Sequence, residues 1–185
     1  MAHPNILDRK STALIVIDVQ EAFRNVIPQF ENIAVRISTA IRGFQILDIP
    51  VIVTEQYPKG LGPTVEEIVL SLPEDAERIE KKAFSACGAS SFKKSLDDLE
   101  VSQVVVCGVE THVCVNQTAH DLLADDYDVH VLTDCVASRF DHDREAGLSK
   151  MYGSGVNPSS VEMALFELMR DSGHEKFKEI QALIK

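Results

Sequence analysis

Apolar positions along the chain switch between two spacings. Ala13-Leu14-Ile15-Val16-Ile17 is an unbroken β-rich run, the pattern of a strand covered on both faces. Phe30, Ile33, Ala34, Ile37, Ile41, Phe44 and Leu47 then recur at helical spacing and predict an amphipathic helix. Pro50 to Thr54 reads as a second strand. Thr64-x-x-Glu67 reads as a capping box opening a short helix through Leu70. Arg78 to Lys81 is a weaker strand, Phe92, Leu96 and Leu99 mark a helix, and Gln103 to Val109 is the strongest strand signal in the chain.

The same alternation runs to the end. Val115, Ala119, Leu122 and Leu123 form the next helical stripe, and Asp128 to Thr133 the next strand. A polar helix is expected over 141–151 and a short strand near Val156. Ser159-x-x-Glu162 is expected to cap a helix bearing Val161, Leu165, Leu168 and Met169. A last amphipathic helix holds Phe177, Ile180 and Ile184. Strands alternating with helices predict an α/β fold: one doubly wound, Rossmann-like, six-stranded parallel sheet with helices on both faces. The first and fourth strands, being almost wholly apolar, belong at its centre. No linker, repeat or low-complexity stretch interrupts the pattern, so residues 1–185 are expected to form a single domain.

That architecture says where chemistry belongs. Ligands of open α/β sheets bind beyond the carboxyl ends of the strands, near the switch point in strand order. Asp18-Val19-Gln20 after the first strand and Gly108 to Cys114 after the fourth meet that condition.

Composition narrows the classes. With 18 Lys+Arg against 29 Asp+Glu the net charge is −11, which repels polyanions, and the basic doublets Lys81-Lys82 and Lys93-Lys94 are too sparse to track phosphates. Nucleic acid is therefore not an expected partner. The longest apolar runs fall far short of the roughly 20 residues of a spanning helix, so no membrane partner is expected. The opening Met1-Ala2-His3-Pro4-Asn5 lacks a signal-peptide layout, so the expected location is cytoplasmic. The four cysteines, Cys87, Cys107, Cys114 and Cys135, show no metal or disulfide spacing, and reduced thiols are the default.

Cys114 stands apart because it sits where a strand turns into a helix. Backbone N–H groups and the helix dipole favour a thiolate there, the nucleophilic form. Packing is the competing reading, since cysteine is among the most buried residue types, and position alone leaves both open. Cys87, Cys107 and Cys135 read as packing residues. Asp18 follows an apolar strand, where a partly desolvated carboxylate suits proton transfer, although an Asp capping the following loop would look the same. One of Lys81 and Lys82 can turn inward while the other stays in solvent. His112 reads as part of a site wall or helix start, and His142, between Asp141 and Asp143, as a solvated helix beginning.

Taken together, Asp18-Val-Gln20 after the first strand, Lys81-Lys-Ala-Phe84-Ser85 after the third and Gly108-Val-Glu-Thr111-His-Val-Cys114-Val115 after the fourth resemble the motifs of the isochorismatase-like cysteine hydrolases. Thr118-Ala119 and Thr133-Asp134-Cys-Val-Ala-Ser138-Arg139 are similar to that family's pattern too, so the resemblance runs from about Thr12 to about Arg170. It implies an Asp18–Lys81–Cys114 triad, with Lys81 preferred to Lys82 because the family's lysine lies four residues before the motif serine. It implies a cis Val109–Glu110 peptide, an oxyanion site at the backbone N–H groups near Glu110 and Cys114, and a substrate pocket involving Gln20, Phe23, Glu55, Gln56, Phe84 and His112.

Departures from the family refine the expectation. Nicotinamidases of this superfamily carry a histidine metal site after the second strand, whereas Thr54 to Gly62 has no histidine; no metal and no cofactor are expected. Enzymes that open isochorismate itself lack the cysteine this chain has. The expected function is a metal-independent cysteine hydrolase acting on a small amide-like or carbonyl-type molecule through a thioester. A catalytically silent binding or scaffold protein and a redox-reactive thiol protein are the alternatives. A homo-oligomer is expected, as in family relatives, with the C-terminal helix from His174 as a contact surface.

Overall fold

The computed structural model describes residues 3, 5–73 and 76–185; of the opening segment read above, residues 1, 2 and 4 lie outside them. Six strands pair in parallel in the order β3-β2-β1-β4-β5-β6. They are β1 (Thr12–Ile17), β2 (Val51–Gln56), β3 (Arg78–Lys81), β4 (Gln103–Val109), β5 (Asp128–Ala137) and β6 (Asn157–Ser159). The helices are α1 (Phe30–Ile46), α2 (Pro58–Leu61), α3 (Glu66–Val69), α4 (Ser90–Asp98), α5 (Asn116–Ala124), α6 (Asp141–Gly153), α7 (Val161–Met169) and α8 (Phe177–Ile184). The doubly wound α/β architecture expected from the periodicity is the one observed.

Why the central strands read as continuous apolar runs is plain from the two cores. Side chains alternate across a sheet. Leu14, Val16, Val105, Cys107 and Val109 pack into one core with α1, α7 and α8. Ala13, Ile15, Ile17, Val104 and Val106 pack into the other with α4, α5 and α6. Both faces are covered, so residues 13–17 and 104–107 are apolar at every position, and the polar Thr12 and Gln103 stand at the strand starts. The strand order reverses between β1 and β4, placing the segments after these strands side by side at the switch point.

Gly108 makes that junction possible. It pairs with Ile17, has φ +118°, and a Cβ there would stand 2.1 Å from the Ile17 carbonyl oxygen. Only a residue without a side chain lets β4 leave the sheet so close to β1.

Several boundaries differ from the sequence expectation, each for a local reason. The Thr64–Glu67 capping box does not form: the Thr64 hydroxyl donates to Glu55 Oε1 instead, and Val65 precedes α3 without a side-chain cap. The cap of α7 is Ser160 rather than Ser159; its Oγ accepts from the Met163 N–H, and the Asp134 carboxylate accepts from Val161 N–H. β5 runs on to Ala137, and the short last strand starts at Asn157. In α8, Ile180 is buried and Phe177 and Ile184 are partly buried against the α1 and α7 core. Among the described residues no helix is long and apolar enough to cross a membrane.

Replacing Gly108 by Ala forces a Cβ into backbone at a positive φ, combining overpacking with strain. The expected cost is about 2–4 kcal/mol, a fall in Tm of roughly 5–15 °C, read by thermal unfolding. An unchanged Tm would show that the β1–β4 junction does not need the glycine.

Candidate active site

Three strand ends converge at the carboxyl edge of the sheet. Asp18 is the first residue beyond β1, fully buried, with a left-handed backbone (φ 53°) that ends the pleat. Its N–H still donates to the Thr54 carbonyl, and its own carbonyl accepts from Gln20 N–H at 2.9 Å. Thr54 is the polar residue that closes the apolar run of β2, and its hydroxyl donates to Asp18 Oδ1 at 2.7 Å. Asp18 Oδ2 takes the charge partner: Lys81 Nζ lies 2.6 Å away, and both side chains are essentially sealed from solvent.

Lys81, at the end of edge strand β3, is thus turned inward, and Lys82 is the exposed member of the doublet. The ammonium donates to Gln56 Oε1 at 2.9 Å, to the Ala83 carbonyl at 3.2 Å and to the Phe84 carbonyl at 2.7 Å. Its desolvation is offset by one carboxylate and three neutral acceptors. That is the condition under which a buried charge persists.

Cys114 comes from the other side of the switch point. β4 ends in a cis Val109–Glu110 peptide, as the family resemblance implied, and passes into a single π-helical turn (Thr111–Val115) that continues as α5. Helix α6 packs onto this turn at Gly147, where a Cβ would stand 2.9 Å from His112 Cα. Cys114 is 7% exposed. Its thiol feels both charges of the ion pair: Asp18 favours the thiol and Lys81 the thiolate. Burial dominates, and with Asp18 pushes the thiol up to about 12. The resting group is therefore a protonated thiol. Desolvation and the neighbouring carboxylate outweigh the lysine, against the thiolate-favouring effect read from the helix start.

The remaining cysteines pack. Cys107 and Cys135 are fully buried, and Cys87 is half-buried with its thiol pushed up to about 11, again chiefly by burial.

The expected pocket residues divide into two groups. Gln20 and Glu55 are buried with their side chains committed to the fold. The Gln20 amide accepts from Gln56 N–H and donates to the Gln56 and Gly62 carbonyls; Glu55 Oε1 accepts from the Thr64 N–H and hydroxyl. Gln56 bridges Lys81 and the Lys82 carbonyl. Phe23, in a short 3-10 turn (Glu21–Phe23), is half-buried against the α1 core. Phe84 is exposed, with the carbonyl that holds Lys81. The Ala86 N–H next along donates to the Thr118 hydroxyl, pinning this loop to the helix one turn beyond Cys114. His112 is held by the Ser138 hydroxyl at 3.0 Å and lies 3.8 Å from Asp143. Glu110 is buried, and its Oε1 accepts from both the backbone N–H and Nε of Arg139. His142 is exposed and stacks on Phe140. Thr54 and Thr118 carry interactions that sequence reasoning did not assign. Polar side chains at the edge of apolar runs were the available signal.

The family model described as isochorismatase domain matches residues 12–163. Isochorismatase domain-containing protein 2 of Danio rerio is 41% identical over 186 residues, covering 100% of this chain and 92% of that protein. A secreted isochorismatase effector of Phytophthora sojae is 39% identical over 178 residues, covering 95% and 85%. Among solved structures, the MAR1 ribonuclease of Caenorhabditis elegans matches with a TM-score of 0.92 at 39% identity, over 97% of this chain and 92% of that one. The YcaC gene product of Escherichia coli, an octameric hydrolase of unknown specificity, matches with a TM-score of 0.91 at 22% identity, over 100% and 91%.

The ion pair makes a thermodynamic signature testable by urea denaturation. Asp18→Asn or Lys81→Met alone strands a buried charge and should cost about 3–5 kcal/mol; the double variant, with both charges gone, should recover more than half of the summed loss. Simple additivity would mean that the two groups do not act as a pair.

Proposed function

The chain belongs to the isochorismatase family, and on that footing we propose that it is a metal-independent cysteine hydrolase of a small amide-like or related carbonyl substrate. One observation carries this reading: a sealed Asp18–Lys81 pair, 2.6 Å apart, whose two charges both act on the buried Cys114 thiol at the switch point of the sheet. A buried ion pair whose members both act on one thiol is a proton-transfer device, because moving the proton keeps the cluster's total charge unchanged.

The chemistry follows from these groups. Asp18 Oδ1 is occupied by Thr54, whereas Oδ2 faces Lys81 without a well-directed hydrogen bond and is the oxygen available to take the Cys114 proton. As the S–H proton moves to Asp18, sulfur bonds to the carbonyl carbon and the C=O electrons pass to oxygen. Backbone N–H groups near Glu110 and Cys114 hold that oxyanion. The oxyanion collapses, the C–N bond breaks, and Asp18 gives its proton to the departing amine. Water then attacks the thioester while Asp18 takes one of its protons, and the second collapse releases the acid and returns the proton to sulfur. Lys81 stays charged throughout. It offsets the negative charge that shuttles between Asp18 and Cys114. A thiol that ionises only as it attacks is also spared oxidation at rest.

A second reading, ribonuclease action, draws on the likeness to the C. elegans MAR1 ribonuclease. Charge weighs against it: the net value is −11, and Lys93 and Lys94 are paired with Asp125 and Asp98. For assembly, a homo-oligomer is the reading we favour, the E. coli YcaC product being an octamer.

A panel of small amides, carbamoyl compounds and nitrogen heterocycles, with an RNA oligonucleotide included, tests the reading. We expect turnover of a small-molecule member, a fall of roughly 10⁴-fold or more in Cys114→Ala, and an acyl adduct on Cys114 in acid-quenched intact-mass spectra. RNA should remain uncleaved. Turnover that survives Cys114→Ala, or that occurs only on RNA, would reject the assignment.

A further inference from the structure

The amide of Gln56 is the acceptor whose orientation is fixed from both ends. Its Nε2 donates to the Lys82 carbonyl at 2.8 Å, which leaves Oε1 as the atom facing the Lys81 ammonium at 2.9 Å. A flipped amide would aim N–H at an ammonium and oxygen at a carbonyl, so one orientation alone satisfies both neighbours. The backbone of Gln56 is gripped in turn by Gln20. Gln56 N–H donates to Gln20 Oε1 at 2.7 Å, and Gln20 Nε2 donates to the Gln56 carbonyl at 3.1 Å. Gln20 lies two residues after Asp18. The contacts close a ring through the ends of three strands: Asp18 to Lys81, Lys81 to Gln56, Gln56 to Gln20, and Gln20 back along the chain to Asp18.

From this ring we infer that Gln56 is a positioning residue that sets where the Lys81 ammonium stands between Asp18 and Cys114, and is not a substrate contact. The inference rests on the proposed cysteine-hydrolase reading. Lys81 has three protons to give and four acceptors around it: Asp18 Oδ2, Gln56 Oε1 and the Ala83 and Phe84 carbonyls. The two carbonyls sit on the loop that follows β3, so by themselves they would let the ammonium travel with that loop. Gln56 belongs to β2, paired on both sides, and ties the ammonium to the rigid part of the sheet. Without it, the stabilisation that Lys81 extends to a developing thiolate at Cys114 weakens, because charge–charge interaction falls with separation.

Thiol chemistry reads this without a substrate. The experiment compares iodoacetamide labelling rates of Cys114 in the intact protein at several pH values, by peptide mass spectrometry, with Cys87 as internal reference. Variants are the near-isosteric Gln56→Met, the charged Gln56→Glu, and Lys81→Met (Lys81→Gln if the first is not folded by circular dichroism). At a fixed pH near 8.5 we expect Gln56→Met and Gln56→Glu to slow Cys114 labelling about three- to tenfold, Lys81→Met to slow it further, and Cys87 to keep its rate. A purely structural role would loosen the loop over Cys114 and speed labelling, the opposite sign. Wild-type or faster labelling in both Gln56 variants, with slowing in the Lys81 variant, overturns the role of Gln56 alone. No slowing in the Lys81 variant overturns the underlying reading as well.

Discussion

A carboxylate and an ammonium 2.6 Å apart, both out of reach of water, constrain much of what surrounds them. Each would be unaffordable alone in such a place, and together they still leave donors and acceptors to satisfy. The fold answers with a threonine hydroxyl for the carboxylate and with a glutamine and two loop carbonyls for the ammonium. The partners come from β2 and from the loop after β3. The pair can form only after β1, β2 and β3 are in register.

The thiol enters this arrangement as a third party. Burial and Asp18 hold it protonated while Lys81 pulls the other way. In the proposed reaction, reactivity is thereby tied to substrate, an electrophile at sulfur being what tips the proton toward Asp18. The same low-polarity surroundings that make the resting thiolate costly make the ammonium effective once charge begins to form there.

How far the sequence reveals this follows from the range of each interaction. Strands covered on both faces leave a one-dimensional trace, and β1 and β4 were legible as the sheet's centre from their unbroken apolar runs. The switch-point location of Asp18 and Cys114 followed from topology, and Lys81 was separated from Lys82 by its spacing to Ser85 in the family pattern. The partners of Asp18 and Gln20 were not legible. Thr54 and Gln56 lie 36 residues away in sequence, and nothing in a local pattern announces which side-chain amide will complete a neighbouring strand. The Thr64 cap failed for a similar reason: a buried carboxylate on the adjacent strand outbid the helix for its hydroxyl. The resting thiol also depends on burial and on a charge from another strand, neither visible at Cys114 itself.

Gln20 holds the backbone of Gln56 on one side and the Gly62 carbonyl on the other, so a single side chain clasps both ends of the segment between them. The segment inside the clasp, from Tyr57 to Leu61, is tied down at both ends, and at its start the Tyr57 N–H donates to the Lys81 carbonyl at 2.9 Å. The turn and the ammonium-bearing strand therefore move as one piece, so a change in the turn reaches the ion pair through the backbone.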